Sequence, residues 1–376
     1  MNIPLFKIYW DNEDIEAVKK IIRSGEYWAT GKQIEEFEKK LADYLGVKYC
    51  LVLNSGGSAL FSLMKAYDFK KGDEIIVPSF TFITTAFAPL YTGAKPVFAE
   101  VEEKTFGLDP ADVEKKITSK TRAIMPIHYG GMPCQVDKIK KIAKKNNLIL
   151  IEDAAESFGA KLKGKYTGTF GDAAILSFCQ NKIITTGEGG AIITNDKKIY
   201  EKVGLIRSYG RKVKGDYFNH VEDLDYIVLG GNLRMPTMLA ALGLSQLKKV
   251  DYIIKERRER AKYLNKKLAK IKEINIFEEP NKNYFAVYQM YTIRILEGAK
   301  IRNELMAYLQ NKGISAKIYF EPVHQHTIFK DLGYTTPLPQ TEKIANQVLS
   351  LPIYPTISYK ELDYIIKNIF DFFKRK

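Results

Sequence analysis

The sequence predicts an α/β protein: a large domain with a mainly parallel sheet flanked by helices, followed by a smaller α+β domain at the C-terminus. Three observations lead there. Between residues 49 and 152, short apolar runs alternate with stretches of helical spacing, the pattern of repeated βα units. Such units put a ligand crevice at the carboxyl ends of their strands. From about Pro236 into the 260s the pattern is one long helix, whose charged second half reads as the link to another domain. With 376 residues and 45% hydrophobic content the chain is too long for one compact module. We place the large domain at 1–250 and the small one at 251–376.

Apolar residues recur at helical spacing over 11–24 and 33–45, and Gly25 and Gly46 stand where C-terminal caps belong, so two helices precede the first strand. The series then reads strand 49–53, helix 59–66, strand 74–77, a helix after Thr85, strand 95–99, a helix from Pro110, strand 123–127, helix 136–145 and strand 148–152. The closely spaced runs 173–178 and 190–194 are strands completing the same sheet. Beyond the long helix come strand 287–295, helix 301–312, strand 315–319, and helices near 342–349 and 359–373.

Composition narrows the function classes. The formal charge of +14 is mostly lysine spread along the chain, a solvated surface that also favours an acidic ligand. Its densest stretch, KERRER at 255–260, alternates acids with bases on a helical pattern, so no nucleic-acid partner is indicated. The opening MNIPLFKIYWDNEDIE is acidic and lacks a long apolar core, and no apolar run approaches a membrane span. Cys50, Cys134 and Cys179 have neither metal-ligand nor disulfide-framework spacing, which implies no metal and a reducing compartment. We expect a cytoplasmic protein with no membrane association.

The chemistry centres on Lys182 in SFCQNKIITTGEGG. It follows an apolar run and precedes a turn of small and acidic residues, so its amine is held where two segments meet. The strand 148–152 delivers Glu152, Asp153 and Glu156 to a carboxyl edge, where clustered negative charge is costly unless a cation sits there. A protonated pyridine nitrogen is such a cation. A lysine amine with a carboxylate nearby is a minimal kit for pyridoxal phosphate chemistry. NSGGSAL at 54–60 lies between a strand and a helix, a place where backbone N–H groups and the helix dipole favour an anion. Phe82 in PSFTF follows a strand and would cover the face of a planar ring. His128, in IMPIHYGG, packs near the cofactor edge rather than reacting.

Taken together, NSGGSAL, PSFTF, EDAAESFGA, GDAAILSF, NKIITTGEGG with ITND, and GGNLRM resemble, in order and spacing, the DegT/DnrJ/EryC1/StrS sugar aminotransferases. The resemblance runs from Trp28 to Pro352 and implies the fold of type I pyridoxal-phosphate-dependent aminotransferases. It implies that Lys182 links covalently to pyridoxal 5'-phosphate and that Asp153 bonds its pyridine nitrogen. Gly57, Ser58 and Ser177 match phosphate-binding positions, and Phe82 matches the ring-stacking aromatic. Glu156 matches the side chain beside the phenolic oxygen, where many members have His or Gln, and Gly57 stands where Thr is usual. Asn232 matches an asparagine that reaches the cofactor of the neighbouring subunit, which implies a homodimer with shared active sites. Thr30, Tyr319 and His324 match positions lining the nucleotide-sugar pocket.

The implied reaction is transamination of a nucleotide-linked keto-6-deoxy sugar with glutamate as donor. The frame NKIITTGEGG with EDAAE is most similar to members that aminate C4 of GDP-4-keto-6-deoxymannose, making GDP-perosamine; a UDP- or dTDP-linked 4-keto or 3-keto sugar would use the same machinery. Members that dehydrate the sugar have histidine in place of the lysine, and Lys182 argues against that outcome. A regulatory protein retaining the fold is the competing class, and the joint presence of Lys182, Asp153 and Asn232 argues against it. The stretches 213–225 and 318–327 are expected to decide sugar and nucleotide choice.

Overall fold

A computed structural model describes residues 1–212 and 225–375. The expected βα run closes into a seven-stranded sheet in the order Tyr49–Leu53, Gly190–Thr194, Ala173–Ser177, Ile149–Asp153, Thr121–Ile124, Glu74–Pro78, Lys95–Ala99. The last five of these run parallel, and Gly190–Thr194 runs antiparallel to both its neighbours. The strands are apolar on both sides because both faces are covered. Leu51, Leu53, Ile75, Val77, Ile151 and Ile175 pack on the helices Gly56–Ala66, Ile83–Leu90 and Lys197–Ile206. Their alternate neighbours face the other layer: Val52, Ala174 and Leu176 pack with Gln33–Leu45 and Thr237–Leu247, and Ile76 and Leu150 with Pro110–Lys116 and Val136–Lys145.

Several boundaries differ from the sequence reading. The helix Lys197–Ile206 was not anticipated, although its N-cap Asp196, which accepts from Lys198 N–H, is part of the ITND motif. The fourth strand ends at Ile124 rather than 127; Pro126 has no N–H to extend the ladder, and its carbonyl instead accepts from Asp153 N–H. The single long helix is two, Thr237–Leu247 and Val250–Leu268, broken where Lys249 turns to pair with Asp11 (2.6 Å) and Asp14 (2.9 Å) of the first helix, Asn12–Ser24. A break of only two residues, Lys248 and Lys249, is too short to stand out in the apolar period.

The small sheet is antiparallel, with Tyr291–Ile295 between Ile274–Ile276 and Val348–Leu351, and the helices Ala299–Asn311 and Tyr359–Lys374 cover it. Two expectations change here. The helix near 342–349 is the helix Pro339–Ala345 followed by the strand Val348–Leu351; a short apolar run fits either period, and pairing with Tyr291–Ile295 decides it. The stretch 315–319 forms no strand, because Ile3 occupies the neighbouring backbone groups of Gly313 and Ser315, leaving only Lys317 to bridge Ser350. The strand expected over 287–295 begins at Tyr291.

Two features tie the sheets together. Ile3 and Leu5, from the start of the chain, bond to Gly313, Ser315 and Ile353 beside the small sheet. The helix Val250–Leu268 buries Val250, Ile253 and Ile254 against the large sheet's layer and Ala261, Leu264 and Leu268 in the small core. The stretch 213–224, expected to share in substrate choice, lies outside the described residues.

The tightest polar knot lies under the carboxyl edge of the large sheet. Glu152 is fully buried and accepts from the backbone N–H of Gly168 (2.8 Å), Phe170 (2.6 Å) and Gly171 (2.7 Å), and from His128 Nε2 (3.0 Å). His128 Nδ1 accepts from Cys134 N–H (3.1 Å), which puts the ring proton on Nε2. Glu152→Leu strands these buried donors, and we expect a stability loss of roughly 3–5 kcal/mol in denaturant unfolding. A loss within experimental error would mean that the knot is not structural.

Candidate active site

The strand Ile149–Asp153 ends in two carboxylates, and strand alternation sends them apart. Glu152 turns into the amide knot, so the three acids expected together are in fact two, Asp153 and Glu156. Asp153 is buried at the carboxyl edge; its Oδ2 accepts from Thr85 Oγ1 (2.8 Å) and its Oδ1 from Ala155 N–H (3.1 Å). Since the Thr85 proton goes to Asp153, the 2.8 Å contact of Thr85 with Thr81 is a donation from Thr81. Burial pushes the Asp153 carboxyl above its usual range, against the opposing pull of these hydrogen bonds and of Lys182.

Glu156 follows in the next turn. Its Oε2 accepts from Gly130 N–H (2.9 Å), and its Oε1 stands 3.6 Å from Lys182 Nζ, both side chains only 14% exposed. Burial raises its pKa too, while Lys182 opposes the shift. Lys182 comes from the loop joining Ala173–Ser177 to Gly190–Thr194, and that loop is fixed from within. Ile183 and Ile184 are buried, Thr186 N–H donates to Phe178 O (3.0 Å), and Lys182 N–H donates to Cys179 O (3.0 Å). The amine is therefore carried on a packed turn rather than on a solvated one.

The anion cradle lies beside it. Ser55 caps the helix Gly56–Ala66; its Oγ accepts from Ser58 N–H (3.0 Å) and donates to Ser58 Oγ (3.0 Å). Ser58 is thus turned onto Ser55, and the amides at the helix start, Gly56 and Gly57, have no carbonyl behind them within the helix. Ser177 borders the same spot, its Oγ 3.4 Å from where a Cβ on Gly56 would stand. Gly190 makes the juxtaposition possible: a Cβ there would lie 2.4 Å from the carbonyl carbon of Ser55. Two glycines, a serine hydroxyl and a positive helix end suit a phosphate; a buried carboxylate at the far side suits a protonated ring nitrogen. These donors fit pyridoxal phosphate.

Phe82 precedes the helix Ile83–Leu90 with its ring 61% exposed, 6.3 Å from that of Phe320. Phe320 follows Tyr319, whose carbonyl accepts from Tyr129 Oη, and Tyr319 feels the charge of Glu156. Tyr319 lines one small cavity with Asn181, the residue before Lys182. His324 is not offered to a ligand. It is buried, with Nδ1 2.6 Å from Ser79 Oγ and Nε2 3.2 Å from Glu342 Oε1, and burial lowers its pKa. With Val323 N–H on Ser79 O (2.8 Å), it clasps the segment carrying Tyr319 and Phe320 to the end of Glu74–Pro78.

Two expected residues are joined to the lysine and the acids by no hydrogen bond among the described residues, although Asn232 lies next to the cradle. Thr30 lies in a turn anchored on Thr237, which accepts from Gly31 N–H (2.7 Å) and donates to Tyr27 O (2.6 Å); among the described residues no hydrogen bond, ion pair or ring contact joins Thr30 to Lys182, Asp153 or Glu156. Asn232 is exposed, its carbonyl accepting from Asn54 Nδ2 (3.4 Å). Sequence reasoning missed Thr85, Gly130 and Phe320. Thr81 and Thr85 at helical spacing and the Gly pair after His128 were visible signals, whereas Phe320 had none.

The model of the DegT/DnrJ/EryC1/StrS aminotransferase family matches residues 9–370. The chain is 35% identical over 374 residues to a GDP-perosamine synthase of Escherichia coli O157:H7, covering 100% of this chain and 99% of that one. It is also 35% identical over 363 residues to a dTDP-3-amino-3,6-dideoxy-alpha-D-galactopyranose transaminase of Aneurinibacillus thermoaerophilus, covering 96% and 95%. Among solved structures, Helicobacter pylori PseC, an aminotransferase involved in the biosynthesis of pseudoaminic acid, superposes with a TM-score of 0.95 at 30% identity, covering 100% of each chain. With the lysine, the carboxylates and the cradle at one sheet edge, this chain belongs to the DegT/DnrJ/EryC1/StrS aminotransferase family and is a sugar aminotransferase of the pyridoxal-phosphate-dependent class.

Proposed function

We propose that this chain acts in the cytoplasm as a homodimer, moving an amino group from glutamate to C4 of GDP-4-keto-6-deoxymannose to form GDP-perosamine for a surface glycan. The observation that carries the aminotransferase reading is the placing of Lys182 Nζ 3.6 Å from Glu156 at the edge where Asp153 is buried. The choice of sugar rests on the motif frame around Lys182 and on Glu156, together with the GDP-perosamine synthase among its relatives. The dTDP-sugar transaminase is equally identical, so the runner-up is a dTDP- or UDP-linked keto-sugar.

Pyridoxal 5'-phosphate, when bound, supplies a carbonyl carbon that carries the amino group and a ring that accepts electrons from the substrate carbon. The rest is done by the chain. Gly56 and Gly57 N–H, with the Ser177 hydroxyl, bind the phosphate at the helix end. Asp153 would keep a proton on the pyridine nitrogen, and Phe82 would cover one ring face. Lys182 would hold the cofactor covalently, and its free Nζ would take up and return a proton at the substrate carbon. Glu156, fixed by Gly130, sits where it orients that amine. Tyr319 borders the sugar, and His324 acts on the pocket through the segment it clasps. Thr30 contributes to the nucleotide-sugar site, and the partner's Asn232 completes the phosphate site.

Two outcomes are expected. Purified protein with pyridoxal phosphate shows a visible band that glutamate bleaches, and a panel of GDP-, UDP- and dTDP-keto-sugars yields its fastest amination with GDP-4-keto-6-deoxymannose; faster turnover of another nucleotide would move the substrate assignment to it. The second concerns pH. Because burial raises the Asp153 pKa, the folded cofactor-free chain holds that proton more tightly than the unfolded chain, so its contribution to stability falls as pH rises through the usual carboxylate value to the raised one. Asp153→Asn weakens that slope: between about pH 4 and 7 the cofactor-free variant loses less thermal stability than the parent, while turnover drops by roughly 100-fold or more. An unchanged slope would refute this role of burial.

A further inference from the structure

The segment 287–290 contributes no side chain to the lysine and carboxylate pair, yet it supports both members. Val287 N–H donates to Gly131 O (3.0 Å) and Met290 N–H to Gly130 O (3.1 Å), and Gly130 is the donor to Glu156. The approach is close. A Cβ on Gly131, where φ is +89°, would stand 2.7 Å from Val287 Cγ2 and 2.8 Å from Gln289 N. From between those two amides Gln289 sends its side chain elsewhere, and its Nε2 donates to the carbonyl oxygen of Asn181, the residue before Lys182. The carbonyls of Tyr288 and Gln289 are gripped in turn by Arg257 Nη1 at 3.0 Å and 3.3 Å, from a guanidinium that is 2% exposed.

The Gln289 amide is an expensive way to fill this space. The residue is 5% exposed, and its Oε1 has no hydrogen-bond partner among the described residues. Burying an amide costs more than burying methionine, which would occupy similar volume without polar atoms. What the amide supplies, and methionine does not, is the donor to Asn181. A cavity of about 20 Å³, bordered by Asn181, Gln289, Met290, Tyr319 and Ser350, lies alongside. It holds about one water and gives the Asn181 backbone room to drift once the donor is gone.

We infer that Gln289 is a positioning residue for Lys182: its hydrogen bond to Asn181 O sets where Nζ stands relative to Glu156, and Arg257 fixes the segment from which it reaches. The inference rests on the reading of Lys182 as the reactive amine, and its test is arranged to stand without the cofactor. Gln289→Met and Gln289→Glu both remove the donor, one with an apolar chain and one with a carboxylate, so the comparison survives if either fails to fold. Gln289→His restores an N–H of similar reach.

In cofactor-free protein, the rate at which an amine reagent labels Lys182 is measured by peptide mass spectrometry, with exposed Lys39 as internal control. Loss of the donor is expected to change the Lys182 rate by about threefold or more while Lys39 is unaffected. With pyridoxal phosphate added, the pH midpoint of the visible band shifts by about half a unit, and kcat falls roughly tenfold with little change in the KM for glutamate. Gln289→His returns each value towards the parent. Parent-like labelling and band midpoint in the donor-less variants overturn the inference, as does an equal loss in all three variants tracking a fall in thermal midpoint. A parent that takes up no pyridoxal phosphate defeats the reading of Lys182 instead, and the labelling rates still decide whether Gln289 holds that lysine.

Discussion

Two adjacent carboxylates close the strand Ile149–Asp153, and both are buried; the site depends on how differently they are treated. Glu152 is saturated by three backbone amides and His128, which ties the 168–171 turn and the 128–134 segment to the sheet. Among the described residues the Asp153 carboxylate receives two hydrogen bonds, both from uncharged groups. The first arrangement is a structural anchor. The second leaves a buried acid whose ionised form would favour a cation at the strand edge.

Around that edge the protein assembles groups from segments far apart in the chain. The helix start at Gly56, the Lys182 loop and the Glu156 turn belong to the large sheet, and close packing at Gly190 sets the first two against each other. Tyr319 and Phe320 arrive from the C-terminal part, held by the buried His324 clasp, and the 287–290 segment supports the lysine loop and the Glu156 turn from behind. The geometry at Nζ is therefore a joint product of both sheets. Such support is what keeps a reacting amine within the small tolerances that proton transfer demands.

Substrate choice has a different character. Asp153 is buried and the side chains of Lys182 and Glu156 are 14% exposed, while the face presented by Phe82 is open. The equal identity to a GDP-sugar and a dTDP-sugar enzyme does not discriminate between nucleotides. The excess of lysine over acidic residues favours the approach of any nucleotide diphosphate and discriminates none of them.

The strand and helix order through residue 194, the anion cradle, Asp153, Glu156 and Lys182 were legible in the sequence, because each rests on local rules: apolar period, small residues at a helix start, an acid at a strand end. What the sequence left open was non-local. Whether Val348–Leu351 is helix or strand depended on Tyr291–Ile295 as a partner, and the break at Lys249 depended on Asp11 and Asp14. His324 read as a pocket residue until Ser79 and Glu342 were found on its two nitrogens, and Gln289 carried no signal at all. By itself the chain's order of residues offered a lysine amine and neighbouring carboxylates as candidates, since covalent and acid–base capacity follows from residue type. Only the tertiary structure decided which groups hold that lysine still, because hydrogen-bond partners more than a hundred residues away leave no periodic trace in the sequence.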